Sequence, residues 1–200
     1  CSGGGARFDA GMLYYSPQIW CSDDTDAIER LKIQHGTSMC YPCSAMGAHV
    51  SDCPNHTVGR NTPFKTRGHV AMVGTFGYEL DVTKIPQEDR NMIPAQIEEF
   101  NKFNTLVRTG DHYRIGNTFE DVTWDAWMFV SKDKKEALFE FVQILARPNE
   151  RSRRIKLKGL DPNAYYYEES DPEFKLSGAA LMNAGINVAK IWNADDMWED

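Results

Sequence analysis

Three aspartates that lie within four residues are the part of this sequence best suited to chemistry. Asp23, Asp24 and Asp26 follow an apolar run that ends at Trp20 and precede a helical pattern. Like charges a few ångströms apart raise the pKa of at least one carboxyl group, which suits a general acid. Asp26 is placed to cap the helix, and Asp24 to face its positive end. Asp23 has no such structural role, but the spacing alone is compatible with either a catalytic or a structural cluster.

A glycine run near the start of the sequence is a second candidate site. Gly3, Gly4 and Gly5 would let the backbone approach a ligand closely and present its N–H groups. A dinucleotide fingerprint needs its glycines between a strand and a helix, with an acidic residue about 20 positions later. Here the run leads into Arg7 and Asp9, so we reject that interpretation, and a flexible loop is the alternative.

The cysteines raise the question of a metal site and indicate the redox state of the compartment. Cys40 and Cys43, followed by Cys53 and His56, resemble the paired ligands of a structural zinc site. The segment between the pairs has a strand pattern, so small buried thiols are the simpler interpretation, and we predict no metal ligand. Five cysteines, an odd number, and the lack of a basic and then apolar signal pattern in the given sequence favour free thiols in the cytoplasm. The missing Met predicts that this is a piece of a longer chain.

The charge balance excludes several classes of partner. The sequence has 29 acidic and 22 basic residues, a net charge of −7, which disfavours nucleic acid and anionic membranes. No apolar run approaches the roughly 20 residues of a membrane helix, so we expect a soluble protein. The sequence also lacks a P-loop and a His-Glu-x-x-His motif, which argues against nucleotide kinases and zincins.

The elements that would position these candidates alternate between strand and helix over residues 1–110. We predict strands over Met12–Trp20, Ala45–Ser51 and His69–Tyr78. A helix is predicted to begin after Asp26, with a capping box to Glu29, and to stop at Gly36. This alternation is typical of β/α units.

A long helix and a change of period follow. Apolar residues at steps of three or four predict a helix over Glu88–Thr109, ended by Gly110; they include Ile93, Ile97, Phe100 and Val107. From residue 111 the period becomes two. Strands are predicted over 126–130, 137–145, 155–158 and 164–169, with a charged hairpin turn at 131–136. We expect a small antiparallel β-sandwich over residues 111–200.

Residues 1–110 as a block resemble the bacterial α-galactosidases of glycoside hydrolase family 36. The matching stretches are CSGGGARFDAGMLYYSPQIWCSDDTDAIERLKIQHGTS, YPCSAMGAHVSDCPNHTVGR and KTRGHVAMVGTFGYELDVTK. The later stretches AWMFVSKDKKEAL and LKGLDPNAYY look more loosely like the family's C-terminal β-sandwich. The resemblance implies the C-terminal half of a (β/α)8 barrel over residues 1–110, followed by that sandwich over 111–200.

The resemblance also implies roles for particular residues. The position that matches the family's acid/base is Asp23, the aspartate without a structural role in the spacing argument. Cys1 and Gly4 match residues that line the galactose pocket, whereas Arg7 and Asp9 are expected to serve the scaffold. The family's nucleophile lies in a Lys-x-Asp motif on an earlier strand, and this sequence contains no such motif.

The implied activity is hydrolysis of terminal α-1,6-linked galactose from raffinose-type oligosaccharides by a retaining mechanism with two carboxylates and no cofactor. This piece alone is expected to be inactive, and the full-length enzyme is expected to be a homo-oligomer. Two alternatives stay open: a same-fold galactosyl transferase or raffinose-synthase-like enzyme, and a zinc-stabilised interaction module built on Cys40, Cys43, Cys53 and His56.

Overall fold

The structure, a computed structural model, describes residues 9–116, 123–146, 153–169 and 171–188. Strands and helices alternate in the first half of the chain. The elements there are α1 (Ala27–Thr37), β1 (Gly47–Ser51), α2 (Phe64–Ala71), β2 (Thr75–Glu79) and α3 (Gln87–Thr109). Strand β1 pairs in parallel with β2, and Ile19 makes a parallel bridge to Met46 just before β1. Three neighbouring segments therefore run in the same direction, each followed by a helix. The described residues form no closed barrel.

The predicted strand over Met12–Trp20 is wrong. Residues Ala10–Tyr14 form a 3-10 helix, and only Ile19 makes a strand-like bridge. The Asp9 carboxylate caps this helix by accepting a hydrogen bond from the Gly11 N–H at 2.8 Å. Such local side-chain bonds compete with strand pairing, and the aromatic rings of Tyr14 and Tyr15 that suggested a buried strand are exposed.

The predicted strand over His69–Tyr78 is wrong in its first part. Helix α2 continues to Ala71, and β2 begins only at Thr75. The helix buries Phe64 and Ala71 against strand β1, whereas its Val70 joins the core with Leu31 of α1. A short run of fully buried apolar residues has the same appearance in a buried helix and in a buried strand, which explains the error.

The two predicted helices are confirmed, with one change in each. Helix α1 begins after Asp26 but lacks the reciprocal half of a capping box, because the Asp26 N–H donates to Asp24 and not to Glu29. In α3 the buried side includes Gln96, whereas Ile97 is 42% exposed. The Gln96 amide donates to the Phe64 carbonyl at 3.2 Å and accepts from the Tyr78 hydroxyl at 2.9 Å.

The second half is built from antiparallel strands. Strands β3 (Asp111–Arg114), β4 (Trp124–Val130) and β5 (Ala137–Gln143) form one sheet with β4 at its centre. The predicted hairpin turn between β4 and β5 is confirmed by the Ser131 N–H bond to the Glu136 carbonyl. The remaining elements are β6 (Arg154–Ile155), β7 (Tyr165–Glu168), β8 (Asp171–Ser177), α4 (Gly178–Asn183) and β9 (Ile186–Asn187), with β6 paired to β9 and β7 to β8.

Strand β4 joins the two halves because it buries both of its faces. On one face, Trp127 and Phe129 share a core with Leu31 of α1 and Leu106 of α3. On the other face, Met128 and Val130 pack with side chains of the second half, among them Leu157, Leu160 and Leu181. Alternation along a strand thus divides β4 between two cores, and the first-half helices rest on the antiparallel sheet.

A buried carboxyl group lies where the two halves meet. Asp125 is 2% exposed and lines a cavity of about 20 Å³ with His112 and Arg114, beneath the end of α1. Its Oδ1 accepts a hydrogen bond from the Ala126 N–H at 2.8 Å. Burial raises the pKa of Asp125 to about 7. Burial, followed by the charge of Arg114, lowers the pKa of His112 to about 4.

Two glycines in helices give a matched test of the packing. Gly68 of α2 lies against Gln96, where an added Cβ would be 2.3 Å from its Nε2 atom, whereas Gly36 of α1 has open space. We expect Gly68→Ala to lower the free energy of unfolding by about 1–3 kcal/mol because it overpacks a buried, hydrogen-bonded amide. Gly36→Ala should raise the free energy of unfolding by about 0.5–1 kcal/mol, because alanine loses less backbone entropy than glycine when the helix forms. Chemical denaturation measures both, and equal effects at the two positions would contradict this packing.

Asp125 predicts a pH-dependent stability. Its folded pKa lies above the unfolded value of about 3.9, so the folded state binds the proton more tightly. The contribution of this group to the free energy of unfolding therefore falls as the pH rises from about 4 to about 7. We expect Asp125→Asn to raise the free energy of unfolding at pH 8 by on the order of 2–4 kcal/mol and to leave it nearly unchanged at pH 4. Denaturation at both pH values, with the exposed Asp111→Asn as control, measures this; equal gains at both would contradict it.

Candidate active site at the carboxyl ends of the parallel strands

The carboxyl ends of three parallel segments meet along one edge of the first half. The segment through Ile19 and Trp20 leads to Asp23, β1 leads to Asp52, and β2 ends at Glu79. In α/β folds with parallel strands, this edge carries the reacting groups. The loops that follow these strands are therefore the place to look for a site.

The three aspartates that the sequence singled out have different environments. Asp26 is 1% exposed and accepts hydrogen bonds from the N–H groups of Ile28 and Glu29, at 3.1 and 3.0 Å. Asp24 accepts from the Asp26 N–H at 3.0 Å, and its own N–H donates to the Ser22 hydroxyl. Asp23, between them, has an exposed side chain. Asp24 and Asp26 thus fix the loop, and Asp23 is presented to solvent at the strand end.

The loop between β1 and α2 binds the aspartate loop from the other side. The Arg60 guanidinium pairs with Asp26 and, at 3.4 Å, with Glu29. The Ser51 hydroxyl donates to the Thr25 carbonyl at 2.8 Å, and the Asn55 amide donates to the Thr25 hydroxyl at 3.0 Å. These bonds hold the Thr25 carbonyl and the side chains of Thr25 and Asp26, so the position of the aspartate loop depends on its neighbour as well.

A buried histidine links the ends of all three segments. The ring of Trp20 stacks on the ring of His49, with centroids 4.2 Å apart and planes 7° from parallel. The Nε2 atom of His49 lies 2.7 Å from Oε2 of Glu79. Burial, together with the charge of Arg30, lowers the pKa of His49 to about 4, so the imidazole is neutral at neutral pH. Partial burial of Glu79 itself raises the pKa of its carboxyl group.

Arg30 supports this arrangement from helix α1. Its side chain is 2% exposed, donates to the Gly47 carbonyl of β1, and contacts Oε1 of Gln34 at 3.3 Å. Gln34 in turn donates to the Val70 carbonyl of α2 at 2.9 Å. Burial is the main cause that lowers the pKa of Arg30. A buried cation therefore fixes α1 against the strand whose end carries the site.

A groove of about 680 Å³ opens beside this edge. It lies between the loop after β1 and the loop after β2, and its walls include Cys53, Asn61, Thr62, Arg67 and Lys84. Arg67 is buried, donates to the Ser51 carbonyl, and lies 3.4 Å from Asp89 of α3. The groove thus has mixed walls, because apolar side chains such as Phe64 and Ile85 also line it, and it has room for a sugar-sized ligand.

The remaining candidates from the sequence are the two residues expected in the sugar pocket and the cysteines considered for a zinc site. Cys1 and Gly4 lie outside the described residues, so their placement stays a prediction. The thiol of Cys53 donates to Asn61, Cys43 contacts Nδ1 of His112 at 3.5 Å, and Cys40 is exposed. Within the described ranges, no group of three or more His, Cys, Asp and Glu side chains is arranged to hold a metal ion.

The sequence analysis missed the group formed by Trp20, His49 and Glu79. Alternation along β1 and β2 is the signal that could have found it. Ala48, Val50, Phe76 and Tyr78 pack with the helices, so His49 and Glu79 must point to the opposite face. The parallel register that brings these two side chains together was not visible in the sequence. Separately, none of the helices in the described ranges is long and apolar enough to cross a membrane.

Comparison with known proteins gives consistent matches over most of the chain. The family model described as Melibiase matches residues 1–110, and that of the glycosyl hydrolase family 36 C-terminal domain matches residues 124–197. The chain is 53% identical to the bifunctional alpha-galactosidase/sucrose kinase AgaSK of Mediterraneibacter gnavus and 52% identical to the alpha-galactosidase AgaA of Geobacillus stearothermophilus. Each match covers 93% of this chain but only 20% and 25% of those two relatives, respectively.

The solved structures agree with the sequence relatives. The galactosidase domain of AgaSK matches with a TM-score of 0.90 at 50% identity, and covers 95% of this chain and 26% of its own. A variant of AgaA solved in complex with raffinose matches with a TM-score of 0.90 at 49% identity, over 96% of this chain and 26% of its own. Since the Melibiase model alone spans more than half of the chain, the chain belongs to glycoside hydrolase family 36.

Proposed function

We propose that the chain forms the C-terminal half of a (β/α)8 barrel over residues 1–110 and a small antiparallel β-sandwich over residues 111–200. Three parallel segments, each followed by a helix, are the repeating unit of such a barrel and support its last three units here. The antiparallel strands after Gly110 support the second domain. The match to the first family model ends at residue 110 and the match to the second begins at residue 124, which is consistent with this boundary.

We propose that the full-length protein carrying this sequence hydrolyses terminal α-1,6-linked galactose from raffinose-type oligosaccharides. The observation that carries this proposal is the exposed Asp23, which follows the segment that bridges in parallel to the start of β1 and lies in a loop that Asp24 and Asp26 fix. The relatives support the substrate class, because AgaA variants have been crystallised with raffinose and with stachyose.

In the proposed mechanism Asp23 acts twice. In the first step its carboxylic acid protonates the glycosidic oxygen while a carboxylate elsewhere in the full-length protein attacks the anomeric carbon. In the second step the Asp23 carboxylate takes a proton from water, and that water cleaves the glycosyl ester with net retention. This chain contains no Lys-x-Asp motif for the nucleophile, so the 200 residues alone should be inactive. Both roles belong to carboxylates, and the reaction requires no cofactor.

The glycine run should complete the sugar site. Cys1 and Gly4 are proposed to line the galactose pocket, as the resemblance to the family implies. A Cys side chain and a bare glycine backbone leave space for a pyranose ring close to the main chain. The groove between the β1–α2 and β2–α3 loops is suited to the remaining sugars of an oligosaccharide, because its walls combine amide, hydroxyl and charged groups.

We also propose a cytoplasmic location and a homo-oligomeric full-length enzyme. The four described cysteines, Cys21, Cys40, Cys43 and Cys53, are free thiols, which supports a reducing compartment. The net charge of −7 supports neutral oligosaccharides, and not nucleic acid, as partners.

Asp23→Asn in the full-length protein tests the function. We expect hydrolysis of raffinose to fall by about 10²–10⁴-fold, because a poor leaving group needs a positioned proton donor. Hydrolysis of p-nitrophenyl α-galactoside should fall less, since its leaving group departs without a proton. Initial rates of galactose and p-nitrophenol release measure both, with Asp133→Asn on the β4–β5 hairpin as a control of equal charge change.

Unchanged raffinose hydrolysis in Asp23→Asn would refute the role of Asp23. Raffinose formation in place of galactose release, in a well-folded unmodified protein, would favour the transferase alternative. The two readouts are independent. The rate of Asp23→Asn reports on the proton donor, whereas the product of the unmodified protein reports whether water or a second sugar accepts the galactosyl group.

A further inference from the structure

Thr25 is a buried residue of the aspartate loop to which the proposed mechanism gives no role. It lies two positions after Asp23, is 2% exposed, and precedes the N-cap of α1. Its hydroxyl accepts a hydrogen bond from the Asn55 amide at 3.0 Å, and its carbonyl accepts one from the Ser51 hydroxyl at 2.8 Å. The hydroxyl and the carbonyl of Thr25 are therefore both bound by the neighbouring β/α unit.

The amide that binds the Thr25 hydroxyl is itself fixed within its loop. Asn55 is 4% exposed, and its Oδ1 atom accepts hydrogen bonds from the N–H groups of Thr57 and Val58, at 2.9 and 3.2 Å. Its backbone N–H donates to the Arg60 carbonyl at 2.9 Å. Because two donors hold Oδ1, the Nδ2 group stays directed at the hydroxyl of Thr25.

Short-range hydrogen bonds connect this anchored residue to Asp23. The Asp24 N–H donates to the Ser22 hydroxyl at 3.1 Å, so Asp23 is the middle residue of a small turn. The Asp26 N–H donates to Oδ1 of Asp24 at 3.0 Å, and this second bond spans Thr25. The two turns share Asp24, so a displacement of the Thr25 backbone also moves Asp24 and, with it, Asp23.

Resting on the function proposed for Asp23, we propose that Thr25 is a positioning residue that holds the Asp23 carboxyl group at the glycosidic oxygen. A general acid is effective only within hydrogen-bond reach of the oxygen that it protonates. A displacement of about 1 Å can cost on the order of 10²-fold in rate. Thr25 touches no substrate atom in this account and acts only through the backbone of the loop. Its bonds therefore matter most for a substrate whose leaving group needs a proton.

The test is kcat/KM of the full-length protein for two substrates that differ in their leaving group. Thr25→Val keeps the shape of the side chain and removes the hydroxyl that binds Asn55. We expect kcat/KM for raffinose to fall by about 10–100-fold. The value for p-nitrophenyl α-galactoside should fall much less, since its leaving group departs without a proton. Thr25→Ser, which keeps the hydroxyl, should restore raffinose hydrolysis, and Thr105→Val, at an exposed position of α3, is the matched control.

A purely structural role of Thr25 predicts a different result. Fewer folded molecules would lower both values of kcat/KM by the same factor, so their ratio would not change. An unchanged ratio in Thr25→Val, or a Thr25→Ser variant with the same defect, would overturn the proposal.

Ser51→Ala is the second variant, and it decides the question if Thr25→Val does not fold. It removes the donor to the Thr25 carbonyl, and we expect the same selective loss of raffinose hydrolysis. An unchanged ratio of the two kcat/KM values in Ser51→Ala would then count against the proposal. Failure of the function itself is distinct, because Asp23→Asn would then keep full raffinose hydrolysis.

Discussion

The buried carboxylate of Asp26 is the constraint on which the proposed site depends. It caps helix α1 with two hydrogen bonds and pairs with Arg60 of the next β/α loop, while its own N–H is held by Asp24. A buried charge is tolerated only when such partners are all present, so the interactions fix both loops together. Asp23 is exposed in the same loop, between two acidic neighbours whose carboxylates accept hydrogen bonds from the backbone.

Similar hydrogen bonds join helix α1 and the loop before it to strand β1. Thr25 is bound by Ser51 at the end of β1 and by Asn55 in the loop after it, and Arg30 ties α1 to the Gly47 carbonyl at the start of β1. Farther from the site, strand β4 packs one face on α1 and α3 and the other on the second half of the chain. The loops of the site therefore rest on helices that are themselves held by the antiparallel sheet. This continuity of packing connects the antiparallel strands to the geometry of a site to which their described residues contribute no side chain.

Local signals predicted the parts of the fold that depend on local physics. The N-cap at Asp26, the long helix before Gly110 and the hairpin at 131–136 all follow from residues within a few positions of one another. The errors at Met12–Trp20 and His69–Tyr78 arose where tertiary burial, or a cap such as Asp9, decided between helix and strand. At the site, the role assigned to Asp23 rests on spacing and resemblance and stays a prediction. The contact between His49 and Glu79 was not, because it depends on a parallel register between residues 30 positions apart.

The most direct measurement is a crystal structure of the full-length protein, as the Asp23→Asn variant, with raffinose bound. The account predicts that the side chain at position 23 lies within about 3 Å of the glycosidic oxygen that joins galactose to the rest of the sugar, a hydrogen-bond distance. It also predicts that the loop bonds of Asp24 and Asp26 are unchanged. A different carboxyl group at that oxygen, with residue 23 turned away from the sugar, would contradict the assignment of the proton donor.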